Sequence, residues 1–429
     1  MSKFQIVLLS VFGIFIFIAV LTFALYRGGS SGAAGGANVT VWGSFSAQDF
    51  NSMLNNSGLS QDITVQVTYI EKSEATLERD FTEALAEGGG PDLVLLSQDH
   101  LWSNKSKLTS IPYASISERD FKETFVEAGE IYLMPEGIYA LPLVVDPMVL
   151  YYNRDLLSAA GKAKPVAYWD EIYAETTNLT KRDAAGNLVE STVALGETRN
   201  IKNFKDIFSM LLFQAGSTIT GVANAELSSL LTETFRMPVA PAESALEFYT
   251  QFSNPTKSFY SWNRTLPEAQ TRFTSGDLAY YLGYASEYRA LRNKNPTLNF
   301  SVALVPQSRV SGKSVTSGKL YSLSLSRGSK NPQGALTAAS KLVAAEAASE
   351  FAQTVFLPPV RRDLLSEKPS DSLWPVLYSA ALQTRTWLDP NPAGSAKVFS
   401  GMIEAVTSGR ARVSEAIQKA DGELEALIK

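Results

Sequence analysis

Cysteine is absent from all 429 residues, and histidine occurs once, at His100. The first absence excludes disulfide staples, thiolate metal centres and a cysteine nucleophile. The second removes the imidazole clusters that hold catalytic zinc and leaves any histidine-based triad dependent on one side chain. No metal-ligand spacing, Walker loop or dinucleotide fingerprint appears, so no cofactor is expected. Net charge is only -5 with both signs mixed along the chain. No basic stripe forms, which argues against a nucleic-acid partner. The Gly88-Gly89-Gly90 run follows a helical stretch instead of opening one, so it stops a helix and does not cradle a phosphate. Internal repeats and long low-complexity tracts are lacking too.

What is present begins at the amino end. Gln5 to Tyr26 contains no charged residue and is dense in Ile, Val, Leu and Phe. As a helix it would span about 33 Å, enough for a hydrocarbon core of roughly 30 Å. It also exceeds the apolar region of about 7–15 residues found in a cleaved signal peptide, although Ala34 and Gly36 make a weak small-residue cleavage site. The expectation is an uncleaved anchor over residues 1–27 with Lys3 on the cytoplasmic side. A flexible linker of Gly, Ser and Ala over residues 28–37 follows.

The length of the rest suits two or three domains, or one large bilobed unit. Asn38 to Trp42 reads as a strand. Ser46 and Asp49 form a capping box before a helix with Phe50, Met53 and Leu54 on one face. Ile63 to Tyr69 alternates like a strand. Leu77, Phe81 and Leu85 stripe a second helix, and Leu93 to Leu96 is a third strand. The order strand-helix-strand-helix-strand implies a parallel sheet covered by helices, with ligands at the carboxyl ends of the strands. Later, Asn178 to Ala194 reads as a hairpin about Ala185 to Asn187. Phe204 to Ala215 and Ala242 to Phe252 read as helices, Leu278 to Leu282 and Phe300 to Pro306 as strands, and Val413 to Ile428 as a closing helix.

The most informative stretch is Ile138 to Gly161, IYALPLVVDPMVLYYNRDLLSAAG. Its apolar, β-branched start has the composition of a strand buried on both faces. Pro142 and Pro147 interrupt it, and neither is expected inside a central strand. Asp146 lies between them, and Asn153-Arg154-Asp155 starts a short helix that Gly161 caps. A segment that leaves one sheet and enters another, with a carboxylate at the crossing, suits the hinge of a two-lobed protein.

Leu141-Pro142, Asp146 and Leu150-Tyr151-Tyr152-Asn153-Arg154-Asp155-Leu156 resemble a pattern of the bacterial extracellular solute-binding proteins, the maltose-binding-like family that serves ABC importers. Further landmarks follow in family order. Gly90-Pro91-Asp92-Leu93-Val94 looks like its Gly-x-Pro-Asp-Val strand entry. Pro165 with Trp169-Asp170-Glu171 is similar to its Pro-x-Thr-Trp-x-Glu helix start, with Ala167 and Tyr168 departing from it. Phe273, Gly276, Ala279 and Gly283 resemble a Phe-x-x-Gly-x-x-Ala-Met motif in which Tyr280 replaces methionine. Pro358-Pro359-Val360-Arg361-Arg362-Asp363 resembles a Gly-x-x-Pro-x-Arg turn.

The resemblance implies an α/β, two-lobed periplasmic-binding-protein fold, type II-like, with discontinuous lobes. The first lobe would take residues 38–145 plus 303–345, and the second 146–302 plus 346–429. It also implies a monomer that captures a small solute, a sugar or oligosaccharide, between the lobes and delivers it to ABC permease subunits in the membrane.

Candidate ligand contacts follow from strand ends and from the resemblance. Trp42 ends the first strand before Gly43-Ser44, where an indole can stack on the apolar face of a sugar; core packing is the ordinary alternative. Ser97, Gln98, Asp99 and His100 follow the third strand, and Asp99 can accept two hydroxyl hydrogen bonds or merely cap a helix. Asp146 sits at the crossing. Tyr284 and Glu287 follow the strand Leu278 to Leu282, where the family carries an aromatic residue. Arg361, Trp387 and, less directly, Arg385 are candidates from the second lobe. Tyr151 and Tyr152 are assigned to packing. Two other functions stay open: a ligand-sensing subunit of a membrane receptor, and an anchored glycoside hydrolase that would need a carboxylate pair, with Asp99 and Asp146 as candidates.

Overall fold

The computed structural model describes residues 36–223, 226–309, 312–367 and 369–429. The expected anchor and nearly all of the linker lie outside these. No helix among the described residues is long and apolar enough to cross a membrane.

The amino-terminal reading holds closely. Strands Ala37–Gly43, Val65–Glu71 and Leu93–Ser97 pair in parallel, with the first in the middle. The helix Ala47–Asn56 buries Phe50, Met53 and Leu54, and the Ser46 hydroxyl caps it by accepting from the Gln48 amide at 3.2 Å. Phe50 stacks on Tyr69 with ring centroids 4.1 Å apart, which fixes helix to sheet. The helix Leu77–Ala86 covers the sheet through Leu77 and Phe81. Gly88 and Gly90 beyond it have φ of 74° and 113°, a left-handed backbone that ends the helix as expected.

Two long strands join the halves of the molecule. The first crossing strand, Leu141–Asn153, pairs antiparallel over its first half with the second crossing strand, Thr316–Ser326. Over its second half it pairs with Leu278–Tyr284 and Phe300–Ala303. The second crossing strand runs on to pair with Leu93–Ser97. The sheet order is therefore Val65–Glu71, Ala37–Gly43, Leu93–Ser97, Thr316–Ser326, Leu141–Asn153, Leu278–Tyr284, Leu188–Val193, Lys181–Arg182. A strand from late in the chain is inserted between two early ones, so the first lobe is discontinuous.

Two expectations need correction. Pro142 and Pro147 both lie inside a central strand. The ladder tolerates them because each stands at an irregularity. Tyr321 pairs with Val144 and Ser322 with Pro142, so Leu143 is an extra, bulged residue beside Pro142. Pro147 sits where pairing to the second crossing strand ends and pairing to Leu278–Tyr284 begins. The other correction concerns residues just past 345. The helix Ala345–Val355, placed with the second lobe by the sequence reading, packs through Phe351 on Phe45 and Phe50 of the first, at 5.1 and 5.7 Å between ring centroids.

The second lobe is richer in helix. Phe204–Ala215 is buried along most of its length, which its run of apolar residues requires. It packs against Pro241–Gln251, and Pro392–Thr407 packs against Val413–Ile428. Phe208 joins these layers, edge-on to both Tyr249 and Phe399. The expected hairpin is present as Lys181–Arg182 paired with Leu188–Val193.

Candidate functional site

Three backbone-anchored pieces converge where the second crossing strand passes between the lobes. Gln98, just past the Leu93–Ser97 strand, accepts the Leu320 amide through Oε1 at 2.6 Å. This docks the neighbouring Asp99 beside the crossing. From the other lobe, the Asp206 carbonyl accepts the Ser317 hydroxyl at 3.0 Å, docking the first turn of the Phe204–Ala215 helix. Between these two ties, strand alternation sends Lys319 and Tyr321 to one face. The end of the Leu278–Tyr284 strand closes the group, with Lys319 Nζ 5.3 Å from the centroid of the Tyr284 ring.

Asp99, Asp206 and Lys319 are each partly buried, and each acts electrostatically on the others. Among the described residues none closes an ion pair with another. Burial pushes Asp99 up, but His100, Lys319 and a hydrogen bond from Ser97 more than offset it, and its carboxyl sits below the ordinary range. Burial holds Asp206 above that range. Lys319 loses to burial and regains more from Asp99, Asp206, Glu74 and Asp146, so its ammonium is firmly charged. Tyr284 is 7% exposed. Its hydroxyl is enclosed, with the Asp206 carboxylate beside it as hydrogen-bonding neighbour. Burial first, then the Asp206 and Asp146 charges, drive its pKa far up.

A second group borders this one. Ser44, Glu74, Glu78, Ser97, His100 and Tyr321 line a cavity of about 20 Å³, room for one water. His100 Nδ1 lies 3.1 Å from Glu78, which raises the imidazole pKa and lowers the carboxylate to about 2.

The structure thus brings together Ser44, Ser97, Asp99 and Tyr284 of the sequence-predicted residues. Trp42 is half-buried nearby, and Lys72 Nζ covers one face of its ring at 4.2 Å. Asp146 is 3% exposed and accepts the Ser286 amide; its position on the crossing strand places it directly opposite Lys319. Five others are bound up in the scaffold. Gln98 spends its carbonyl oxygen on Leu320. Glu287 accepts from Tyr284 N, Asn203, Gln270 and the Tyr281 hydroxyl. Arg361 holds Asp363 and the Val343 carbonyl, and none of those belongs to this group. Trp387 is buried in a stack on Phe399. Arg385 pairs with Glu127.

Lys319, Asp206 and Tyr321 were missed from sequence. The signal for Lys319 was a lysine inside an alternating strand that carries no other charge, where a charge is out of place. Asp206 gave none, because an acidic residue in a first helical turn is the common preference.

Larger cavities lie elsewhere. One, of about 430 Å³, is walled by Trp169, Tyr173 and Phe248. One polar side chain of its wall, Gln214, is engaged by Trp169 Nε1 and by the Pro306 and Val315 carbonyls. Another, of about 650 Å³, lies among Tyr152, residues 164–168, 302–305, 307–309 and 312–314, and Val376 and Gln383.

Two α/β lobes joined by crossing strands, with facing polar side chains at the junction, define a two-lobed binding protein. The sequence profile of the bacterial extracellular solute-binding proteins matches residues 46–374. The chain belongs to that family. It is 28% identical over 102 residues to a binding protein of Brucella abortus (strain 2308), and spans about a quarter (24%) of that relative's length. Among solved structures, the fold is shared with a cyclo/maltodextrin-binding protein complexed with maltotetraose, at TM-score 0.74 and 16% identity, covering 93% of this chain and 99% of that one. A cyclic alpha-maltosyl-1,6-maltose binding protein from Arthrobacter globiformis is similar at TM-score 0.75 and 14% identity, covering 92% and 100%.

Proposed function

We propose that this protein is the membrane-tethered, extracytoplasmic solute-binding component of an ABC importer, and that its solute is a carbohydrate. The observation that carries the reading is the set Asp99, Asp206, Lys319 and Tyr284: acceptors and donors from both lobes gathered at the crossing strands. A sugar hydroxyl donates and accepts at once, so adjacent hydroxyls can bridge such an array. Trp42, Ser44, Ser97 and Tyr321 would complete the contact surface. The solute then touches both lobes only when they are closed, and that difference in affinity favours closure. A permease would receive the closed form. No bond is broken: of the two carboxylates a hydrolase would need, Asp146 is already occupied by Ser286.

The division into lobes follows the sequence reading with one change, residues 346–355 moving to the first lobe. Residues 1–27 serve as the anchor in this reading, since the uncharged run Gln5 to Tyr26 is long enough to span a bilayer.

The test is a thermal-shift series on the full chain in mild detergent with maltotetraose, mannotriose, amino acids and inorganic anions. A bound sugar at about 100 times its Kd adds about 2.7 kcal/mol, a clear rise in Tm. A shift with amino acids or anions and none with sugars overturns the carbohydrate assignment.

A further inference from the structure

The second lobe holds the cavity of about 430 Å³, which shares no residue with the group at the crossing. Its walls come from the helices Trp169–Leu179, Phe204–Ala215 and Pro241–Gln251, and its lip from residues 307–309. Along the middle helix, about 12 Å separates Gln214 in the wall from Asp206 at the crossing. Phe248 stands edge-on to both Trp169 and Tyr173, with ring centroids 5.4 and 5.7 Å apart. Packing therefore fixes the aromatic walls before anything enters.

The polar groups around the cavity fall into distinct sets. Those of the interior are spent. Gln214 is engaged as described above, and Gln307 accepts the Val315 amide at 2.8 Å and donates to the Val305 carbonyl at 2.9 Å. The lip is charged but closed. Arg309 Nε donates to both oxygens of Asp170 at 2.9 and 3.0 Å, and Nη2 donates to Glu171 at 2.9 Å. Its guanidinium also covers the Tyr168 ring at 3.9 Å. The half-buried hydroxyls of Tyr173 and Ser244 line the cavity as well, and neither makes a hydrogen bond among the described residues. An ionic ligand would have to break the Asp170–Arg309 pair to find a counterion. A polyol would lay most of its hydroxyls against spent groups and carbon, at a desolvation cost. A flat, uncharged ring system with one hydroxyl or N–H meets neither obstacle.

We propose that this cavity is a second ligand site, which takes a neutral aromatic molecule of one or two rings bearing a single hydroxyl or N–H. Its rings lie against Trp169, Tyr173 and Phe248, and its polar group exchanges a hydrogen bond with Tyr173 or Ser244. The site is independent of the carbohydrate reading, and the two ligands can be held at once.

Titration calorimetry on the full chain in mild detergent tests it, with 2-naphthol as the probe and decahydro-2-naphthol and 2-naphthoate as matched compounds. The decahydro compound is expected to bind about threefold or more weakly than 2-naphthol, since ring-to-ring contacts are lost. The carboxylate is expected to bind about tenfold or more weakly, since its charge is desolvated without a free counterion. Saturating maltotetraose should leave the 2-naphthol titration unchanged. Ala215→Leu fills the cavity from a half-buried position at the end of its helix, and should abolish 2-naphthol binding while keeping any response to maltotetraose. Ser244→Leu, on the Pro241–Gln251 helix, is the second variant should Ala215→Leu fold poorly. Either variant also serves as the blank for partition of 2-naphthol into detergent, and locates the site whether or not a sugar binds. No heat beyond that blank, displacement by maltotetraose, or equal binding of either matched compound overturns the proposal.

Discussion

The Asp146 carboxylate accepts the backbone N–H of Ser286 at 2.9 Å. Asp146 belongs to the first crossing strand, and Ser286 is the residue that precedes the helix Glu287–Lys294 of the second lobe. The bond therefore pins a second-lobe helix start to the crossing, on the strand position paired with Lys319. A carboxylate is well matched to free amides at a helix start, yet burial raises its pKa to about 6.

That elevation makes stability depend on pH. In the unfolded chain Asp146 ionises near its ordinary 3.8, and in the folded protein only near 6. Between these values the folded state holds the extra proton, so its contribution is complete below the lower pKa and is lost as pH rises through the higher one. Asp146→Asn keeps an acceptor for Ser286 and removes the titration. The variant should gain about 2 kcal/mol over the parent at pH 7.5 and much less at pH 4. Urea unfolding at the two pH values measures the difference; an equal effect at both would show that Asp146 is not titrating in this window.

Lys205 and Asp389 form a direct ion pair with side chains 13% and 1% exposed. Asp389 also accepts from Ser395 at 2.7 Å and from the Asn391 amide. Lys205→Met would strand the carboxylate in the interior, a loss of about 3 kcal/mol. Burial already holds the pKa of Asp389 above the ordinary value, so the variant can recover part of that loss by protonation. Its deficit in Tm should shrink as the buffer is taken from neutral towards pH 5. A deficit that stays constant would assign the effect to lost packing of the lysine stem on Trp387, whose ring centroid lies 5.5 Å from Nζ.

The parts of the fold legible in the sequence were those governed by local periodicity and turn chemistry. Phe204–Ala215 and Val413–Ile428 emerged with their observed ends because their apolar positions and flanking residues agree. The crossing strand was located, but its prolines were read as interruptions, since sequence does not reveal that a partner strand offers a bulge at Leu143 and ends at Pro147. For the site, strand ends pointed to Asp99 and Tyr284. Trp387 drew attention by residue type, and residue type does not distinguish an indole stacked on Phe399 from one facing a cleft. Lys319 and Asp206 come from segments more than a hundred residues apart, and only tertiary folding makes them neighbours.

Gly318 is the last residue of the second crossing strand to pair with the first, opposite Pro147. A Cβ there would come within 3.0 Å of the Asp146 carbonyl oxygen, 3.1 Å of Pro147 Cα and 2.8 Å of Thr384 Cγ2. Thr384 can move its methyl group, but the other two atoms are backbone of a buried, paired strand. Gly318→Ala should therefore push the two crossing strands apart and cost about 1–3 kcal/mol, read as a lowered urea midpoint. The double variant Gly318→Ala, Thr384→Ser separates the contacts, because it removes the methyl and keeps the hydroxyl that bonds the Ala380 carbonyl. If the cost persists in the double variant, the strain lies between the crossing strands themselves. If it vanishes, Thr384 alone sets the limit at Gly318 and the close approach of the two strands has slack to spare.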